Sequence, residues 1–124
     1  MLCIRILLAD DFEPWRIYLK SLLEGRSDLE VVGEAIDGFD AVEKAQALQP
    51  DLVILDIGMP RLNGIEAAKK IRLVAPQSKI LFVTVEKSDE FVEAAIATGA
   101  QGYILKADIG SKLLPALDAL FLKK

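Results

Sequence analysis

Acidic residues follow two of the apolar runs in this sequence: Asp10 and Asp11 after Ile6-Leu7-Leu8-Ala9, and Asp56 after Leu52-Val53-Ile54-Leu55. Thr84 closes a third run, Ile80 to Val83, and Lys106 follows a fourth, Gly102 to Leu105. Three carboxylates gathered in one place repel one another, and a bound cation removes that cost. The chain has no histidine and a single cysteine, Cys3, so a metal here must be held by oxygen, which favours Mg²⁺ or Mn²⁺. The same inventory excludes Ser-His-Asp and Cys-His catalysis, thiolate metal clusters and an internal disulfide. Metal, ammonium and hydroxyl around one carboxylate suit phosphoryl transfer. Asp56 would attack in line while the positive or donor groups neutralise the equatorial oxygens. Each residue alone has a plainer reading, since Asp next to Gly and Pro commonly forms turns. Their joint placement at the ends of predicted strands favours the chemistry.

The residues converge only if those strands run parallel in one sheet. The 124 residues suit one domain, and an apolar fraction of 52% is enough for one core. The net charge of −4, mixed in sign along the chain, leaves no basic footprint for nucleic acid and no polybasic membrane patch. No apolar run is long enough for a leader or a membrane span, and a cytoplasmic location is the default expectation. Strands are predicted at Ile4 to Ala9, Glu30 to Ile36, Leu52 to Leu55, Lys79 to Thr84 and Gly102 to Leu105. Cys3, just before the first, reads as a small buried or fraying residue.

Helical periodicity fills the gaps. Trp15, Tyr18, Leu19, Leu22 and Leu23 share one face of a helix begun at Pro14 and closed around Gly25. Ala41, Val42, Ala45 and Leu48 share another, stopped by Pro50. Asn63-Gly64 opens a third with Ala67, Ile71 and Val74 inward, Lys69, Lys70 and Arg72 on a solvated face, and Pro76 at its end. Ser88 caps a fourth with Val92, Ala95, Ile96 and Gly99 inward. The last buries Leu113, Leu114, Leu117, Leu120 and Phe121, starting near Ser111 or later so that Pro115 falls by its first turn. Five βα units with right-handed crossovers give a doubly wound α/β fold. The third strand is the most apolar and the second the least, which fits a flavodoxin-like sheet of order 2-1-3-4-5 with five helices. Asp10, Asp11, Asp56, Thr84 and Lys106 then share the carboxyl edge, where open α/β sheets bind ligands.

This constellation resembles the receiver domain of two-component response regulators over essentially the whole chain, 1–124. The matching pieces are Asp10-Asp11, Asp56 with Met59-Pro60 and Gly64, Thr84, and Gly99-Ala100-Gln101-Gly102-Tyr103-Ile104-Leu105-Lys106. The resemblance implies that Asp56 accepts a phosphoryl group from a phosphohistidine of a sensor histidine kinase. It implies that Asp11, Asp56 and the Gly58 carbonyl ligate Mg²⁺, with Asp10 acting through water. Lys106 pairs with the carboxylate or the phosphoryl group, Thr84 swings to a phosphoryl oxygen, and Tyr103 turns inward behind it. Such a domain is a signalling module with at most self-phosphorylation and self-dephosphorylation activity. Its 84–121 face, marked by Val85, Glu86, Phe91 and Tyr103, is expected to meet a second copy or an effector domain.

Three positions depart from the common family pattern. Ala107 stands where Pro often follows the lysine in a cis peptide, so the Lys106-Ala107 bond is expected to be trans or deliberately strained. That substitution resembles the subgroup ending in a helix-turn-helix DNA-binding domain, which these residues do not contain. The chain reads as a lone receiver or as part of a transcription regulator, with no direct nucleic-acid or membrane binding of its own. Val85 replaces a small residue beside Thr84 and crowds the path of an attacking water, which points to slow hydrolysis of phospho-Asp56. Gly58 matters less, since only its carbonyl is needed. Two other readings compete: a phosphate-independent dimerisation or docking module, and a flavin or nucleotide carrier on the same topology. The intact acids, Thr84 and Lys106 weigh against the first. Asp10-Asp11-Phe12-Glu13, which would repel a phosphate lacking metal, weighs against the second.

Overall fold

A computed structural model describes residues 3–121. Its strands are β1 (Ile4–Ala9), β2 (Leu29–Ala35), β3 (Leu52–Leu55), β4 (Lys79–Thr84) and β5 (Gly102–Leu105). The helices between and after them are α1 (Glu13–Leu23), α2 (Gly38–Leu48), α3 (Gly64–Val74), α4 (Asp89–Ala97) and α5 (Ile109–Phe121). All strand pairs are parallel, in the order β2-β1-β3-β4-β5. The flavodoxin-like doubly wound sheet expected from the sequence is thus the one observed. Among the described residues, no helix is long and apolar enough to cross a membrane.

Side chains alternate across a strand, so each central strand feeds two cores. Ile6, Leu8, Leu52, Ile54, Leu81, Val83 and Ile104 pack against Leu19 and Leu23 of α1 and Leu113 and Leu117 of α5. Leu7, Ala9, Val53, Leu55, Ile80 and Phe82 pack on the opposite side against α2, α3 and α4. The second core is rich in alanine on its helices (Ala41, Ala45, Ala67, Ala68, Ala95), which lets them lie close to the sheet and to one another. A run such as Leu52–Leu55, buried on both faces, therefore has no alternation to show in its sequence.

Local signals account for most helix ends. Pro14 lies in the first turn of α1, where its missing N–H is not needed. Asp37, Asn63 and Ser88 cap α2, α3 and α4 by accepting hydrogen bonds from the N–H groups of Asp40, Glu66 and Phe91. The edge strand β2 is irregular, its register slipping between the Ile6–Val31 and Leu7–Gly33 pairs.

Several expectations need correction. Pro115 lies inside α5, not near its first turn, because a 3₁₀ turn over Lys106–Asp108 leads straight into the helix at Ile109. Pro115 and Ser111, whose carbonyl loses its helical donor, are both exposed, so water can take that place. Tyr18 and Ile96 are exposed rather than buried, and Leu114, Leu120 and Phe121 are only half-buried. Gly99 is a left-handed residue (φ 88°) just past the end of α4, so it terminates that helix and does not line its inner face. Arg72 is only partly solvated, since it donates to the Ser78 carbonyl. Cys3 is exposed. The Lys106-Ala107 peptide is trans.

Two glycines are required by close approach. A Cβ on Gly38 would sit 1.9 Å from the Leu62 carbonyl oxygen, and one on Gly64 would sit 1.9 Å from the Asp56 carbonyl oxygen. Helix α3 therefore starts directly against the backbone of Asp56, and nothing larger than glycine fits there. Gly64→Ala is expected to lower stability by about 1–3 kcal/mol, the usual cost of overpacking, read as a lower melting temperature. An unchanged melting temperature contradicts this packing.

Candidate functional site

The parallel ladder sets the site. Ala9 pairs with Leu55 at the ends of β1 and β3, and the Asp56 N–H then donates to the Ala9 carbonyl at 3.0 Å. The Asp10 N–H donates to the Ala35 carbonyl of β2, also at 3.0 Å. Asp10 and Asp56 thus leave neighbouring strands side by side. Carboxylate oxygens of Asp10, Asp11 and Asp56 all lie within 4.8 Å of one another. Asp10 and Asp56 are buried, while Asp11 is exposed.

Lys106, one residue past β5, reaches across to this cluster. Its Nζ is 2.7 Å from Asp10 Oδ2 and 3.5 Å from Asp56 Oδ2. Three acids against one ammonium leave two negative charges, which a divalent cation would balance. Asp10 Oδ1 accepts from the Phe12 N–H at 2.9 Å, and Asp56 Oδ1 accepts from the Ile57 N–H at 2.8 Å. Asp10 Oδ2 is buried, and the polar group against it is the Lys106 ammonium at 2.7 Å. Burial pushes the Asp10 carboxyl above the usual carboxylate range. Lys106 and the Phe12 N–H pull it down, and the charge of Asp56 adds to the upward push. Three carboxylates sharing one ammonium form an all-oxygen donor set that suits Mg²⁺. Gly58 follows Asp56 by two residues, is exposed, and has nothing within 4 Å of where its Cβ would be. Its identity is therefore not sterically required.

Thr84 and Tyr103 come from the two neighbouring strands, β4 and β5. Thr84, at the end of β4, is fully buried, and its Oγ1 accepts from the Glu86 N–H at 3.2 Å. Tyr103 donates its hydroxyl to the Glu86 carbonyl at 2.7 Å, and its ring lies 6.2 Å from that of Phe82. Burial raises the Tyr103 phenol above its ordinary range, and the charges of Glu86 and Asp56 add to this. One residue of the loop after β4 thus joins Thr84 to Tyr103. The structure brings Lys106 against Asp10 and Asp56, sets Asp11 within 4.8 Å of both acids, and links Thr84 to Tyr103 through Glu86.

Sequence reasoning missed Arg16. Its side chain donates to the Asp10 carbonyl at 2.7 Å and to Glu34 Oε1 at 2.8 Å, holding α1, β1 and β2 together at the rim of the site. Lys20 adds a second contact to Glu34 at 3.0 Å. The only signal was an acid, Glu34, within a weak edge strand, which periodicity does not interpret. The residues of the loop after Asp56 also have fixed places. Met59 is buried, and the Gly64 N–H donates to the Ile57 carbonyl at 2.8 Å. Arg61 takes a left-handed conformation (φ 70°), with its guanidinium 3.5 Å from Asp37.

The family described as the response regulator receiver domain matches residues 6–118. YxjL of Bacillus subtilis, an uncharacterized transcriptional regulatory protein, is 39% identical over 116 residues, or 94% of this chain and 53% of YxjL. The response regulator domain of Thermotoga maritima CheB superposes with a TM-score of 0.86 at 33% identity, covering 98% of this chain and 99% of that one. A LuxR-family two-component response regulator from an Aurantimonas species gives a TM-score of 0.89 at 33% identity, covering 95% and 84%. The chain spans about half the length of the curated relatives it matches.

Burial tends to raise the Glu34 carboxyl, but the hydrogen bonds from Arg16 and Lys20 outweigh it and hold the group below its ordinary range. Between the two values the unfolded chain binds more protons than the folded one, so stability rises with pH there. The contribution is present above the unfolded value, about 4.3, and is lost as pH falls through the lower folded value. Glu34→Gln should therefore lower the melting temperature at neutral pH, with the gap to wild type closing on acidification. A gap independent of pH contradicts the Arg16–Glu34 account.

Proposed function

The chain belongs to the response regulator receiver domain family, the phosphate-receiving modules of two-component signalling, and from that premise we propose that Asp56 is the phospho-acceptor. The observation that carries this is the gathering of Asp10, Asp11, Asp56 and Lys106 at one end of the sheet. An Asp56 carboxylate oxygen forms the new O–P bond while the N–P bond of a kinase phosphohistidine breaks, and the released imidazole takes a proton from water. Asp10, Asp11, Asp56 and the Gly58 carbonyl would hold Mg²⁺, whose chemistry there is neutralisation of charge on the phosphoryl oxygens. Lys106 moves from its carboxylate partners to the phosphoryl group.

Thr84 is the switch. Its hydroxyl turns from the Glu86 N–H toward a phosphoryl oxygen, which frees one half of the Glu86 bridge to Tyr103. Phosphorylation adds about 1.5–2 negative charges at Asp56, and the population shifts toward the conformation in which Thr84 bonds that charge. The 84–121 face, with Val85 and Phe91 exposed on it, passes the change to a second copy or an effector domain. A sensor histidine kinase is the proposed donor, residues 1–124 the proposed receiver domain, and the cytoplasm its proposed location. Neither a phosphate-independent docking role nor a flavin or nucleotide carrier is favoured by any observation. The acids present negative charge where a nucleotide phosphate would sit.

With Mg²⁺ and acetyl phosphate, wild type should gain the mass of one phosphoryl group and Asp56→Asn none. Modification of Asp56→Asn to the same extent sinks the assignment. Val85→Ala should shorten the lifetime of the phosphorylated protein, since water then reaches the phosphoryl group more easily; an unchanged or longer lifetime counts against that role.

A further inference from the structure

Lys106 has a third neighbour besides the two carboxylates. The face of the Trp15 indole lies 4.9 Å from Nζ, within the range where a ring quadrupole attracts an ammonium. Strand alternation explains the meeting. Ile104 belongs to the core on the α1 and α5 side, and two residues on Lys106 keeps that side, where Trp15 packs from the first turns of α1.

The ring stands on a rigid mount. Pro14 sets the start of the helix, and the Trp15 N–H donates to the Phe12 carbonyl at 3.1 Å. Phe12 is itself bonded to Asp10 Oδ1, and Arg16 to the Asp10 carbonyl. The ring edge is further confined by Tyr18, with centroids 5.4 Å apart and planes tilted by 52°. The start of α1, which carries the ring, is therefore fastened to Asp10, while Lys106 reaches both from β5 on a long side chain. An aliphatic side chain at position 15 would fill the same space without attracting a charge.

We propose that Trp15 is a positioning residue for Lys106, its ring face confining the ammonium beside Asp56 so that it meets an incoming phosphoryl oxygen without a search. This rests on the reading of Asp56 as phospho-acceptor. A lysine side chain loses much rotamer freedom when it is held in one place, and confinement before the reaction removes part of that cost from the loading step.

Wild type, Trp15→Phe and Trp15→Leu, each with and without Lys106→Gln, are titrated with beryllofluoride and Mg²⁺ by calorimetry. Trp15→Leu should weaken binding about threefold to tenfold, and Trp15→Phe should restore most of it. On the Lys106→Gln background Trp15→Leu should change nothing further. An equal loss in both backgrounds overturns the proposal, because the ring would then act on packing alone. Trp15 is also the only tryptophan in the chain, so its ligand-free emission reports on the ammonium directly. That emission should shift on Lys106→Gln, and an unchanged spectrum overturns the contact. Failure of wild type to bind the phosphomimic removes the Asp56 reading instead, and the emission result stands apart from it.

Discussion

The ends of β1 and β3 hold two buried carboxylates against each other, and a third stands beside them on Asp11. The backbone enforces this crowding, since the bond from the Asp56 N–H to the Ala9 carbonyl continues the ladder one step past the last strand pair. A turn acid would relieve such repulsion by moving into water. Asp10 and Asp56 are held in place by the same backbone that folds the sheet. Their charge is offset only in part by Lys106, which makes the cluster a strained site with a deficit of positive charge.

The rest of the molecule reads as support for that arrangement. Glycine at position 64 lets α3 start against the backbone of Asp56, and Arg16 fastens the Asp10 carbonyl to the edge strand through Glu34. Strand alternation sorts the functional groups into two sets. Lys106 keeps the α1 and α5 side with Trp15, while Tyr103 packs with Phe82 in the other core. The Thr84–Glu86–Tyr103 chain starts at the end of β4, which lies next to the end of β3 that carries Asp56.

Much of this was legible in the chain itself. Four buried residues in a row from Leu52 announce a central parallel strand, and acids just past apolar runs announce a carboxyl-edge site. Helix starts were readable because Asn63 and Ser88 carry their own capping oxygens. Less legible were features that depend on packing between distant elements. Pro115 suggested a late helix start, yet the exposed side of α5 tolerates it in the interior. Periodicity placed Ile96 inward, where the structure leaves it exposed, because the inner face of α4 is narrower than the apolar content of that helix. Arg16 and the Trp15–Lys106 contact join residues far apart in sequence, and no local pattern marks either.

Thermal unfolding against Mg²⁺ concentration tests most directly whether the carboxylate cluster demands a divalent cation. Wild type should gain stability with added Mg²⁺, by about 2.7 kcal/mol at a hundred times the dissociation constant, and Asp11→Asn should gain far less. A wild-type transition indifferent to Mg²⁺, or an equal gain in Asp11→Asn, would contradict that demand.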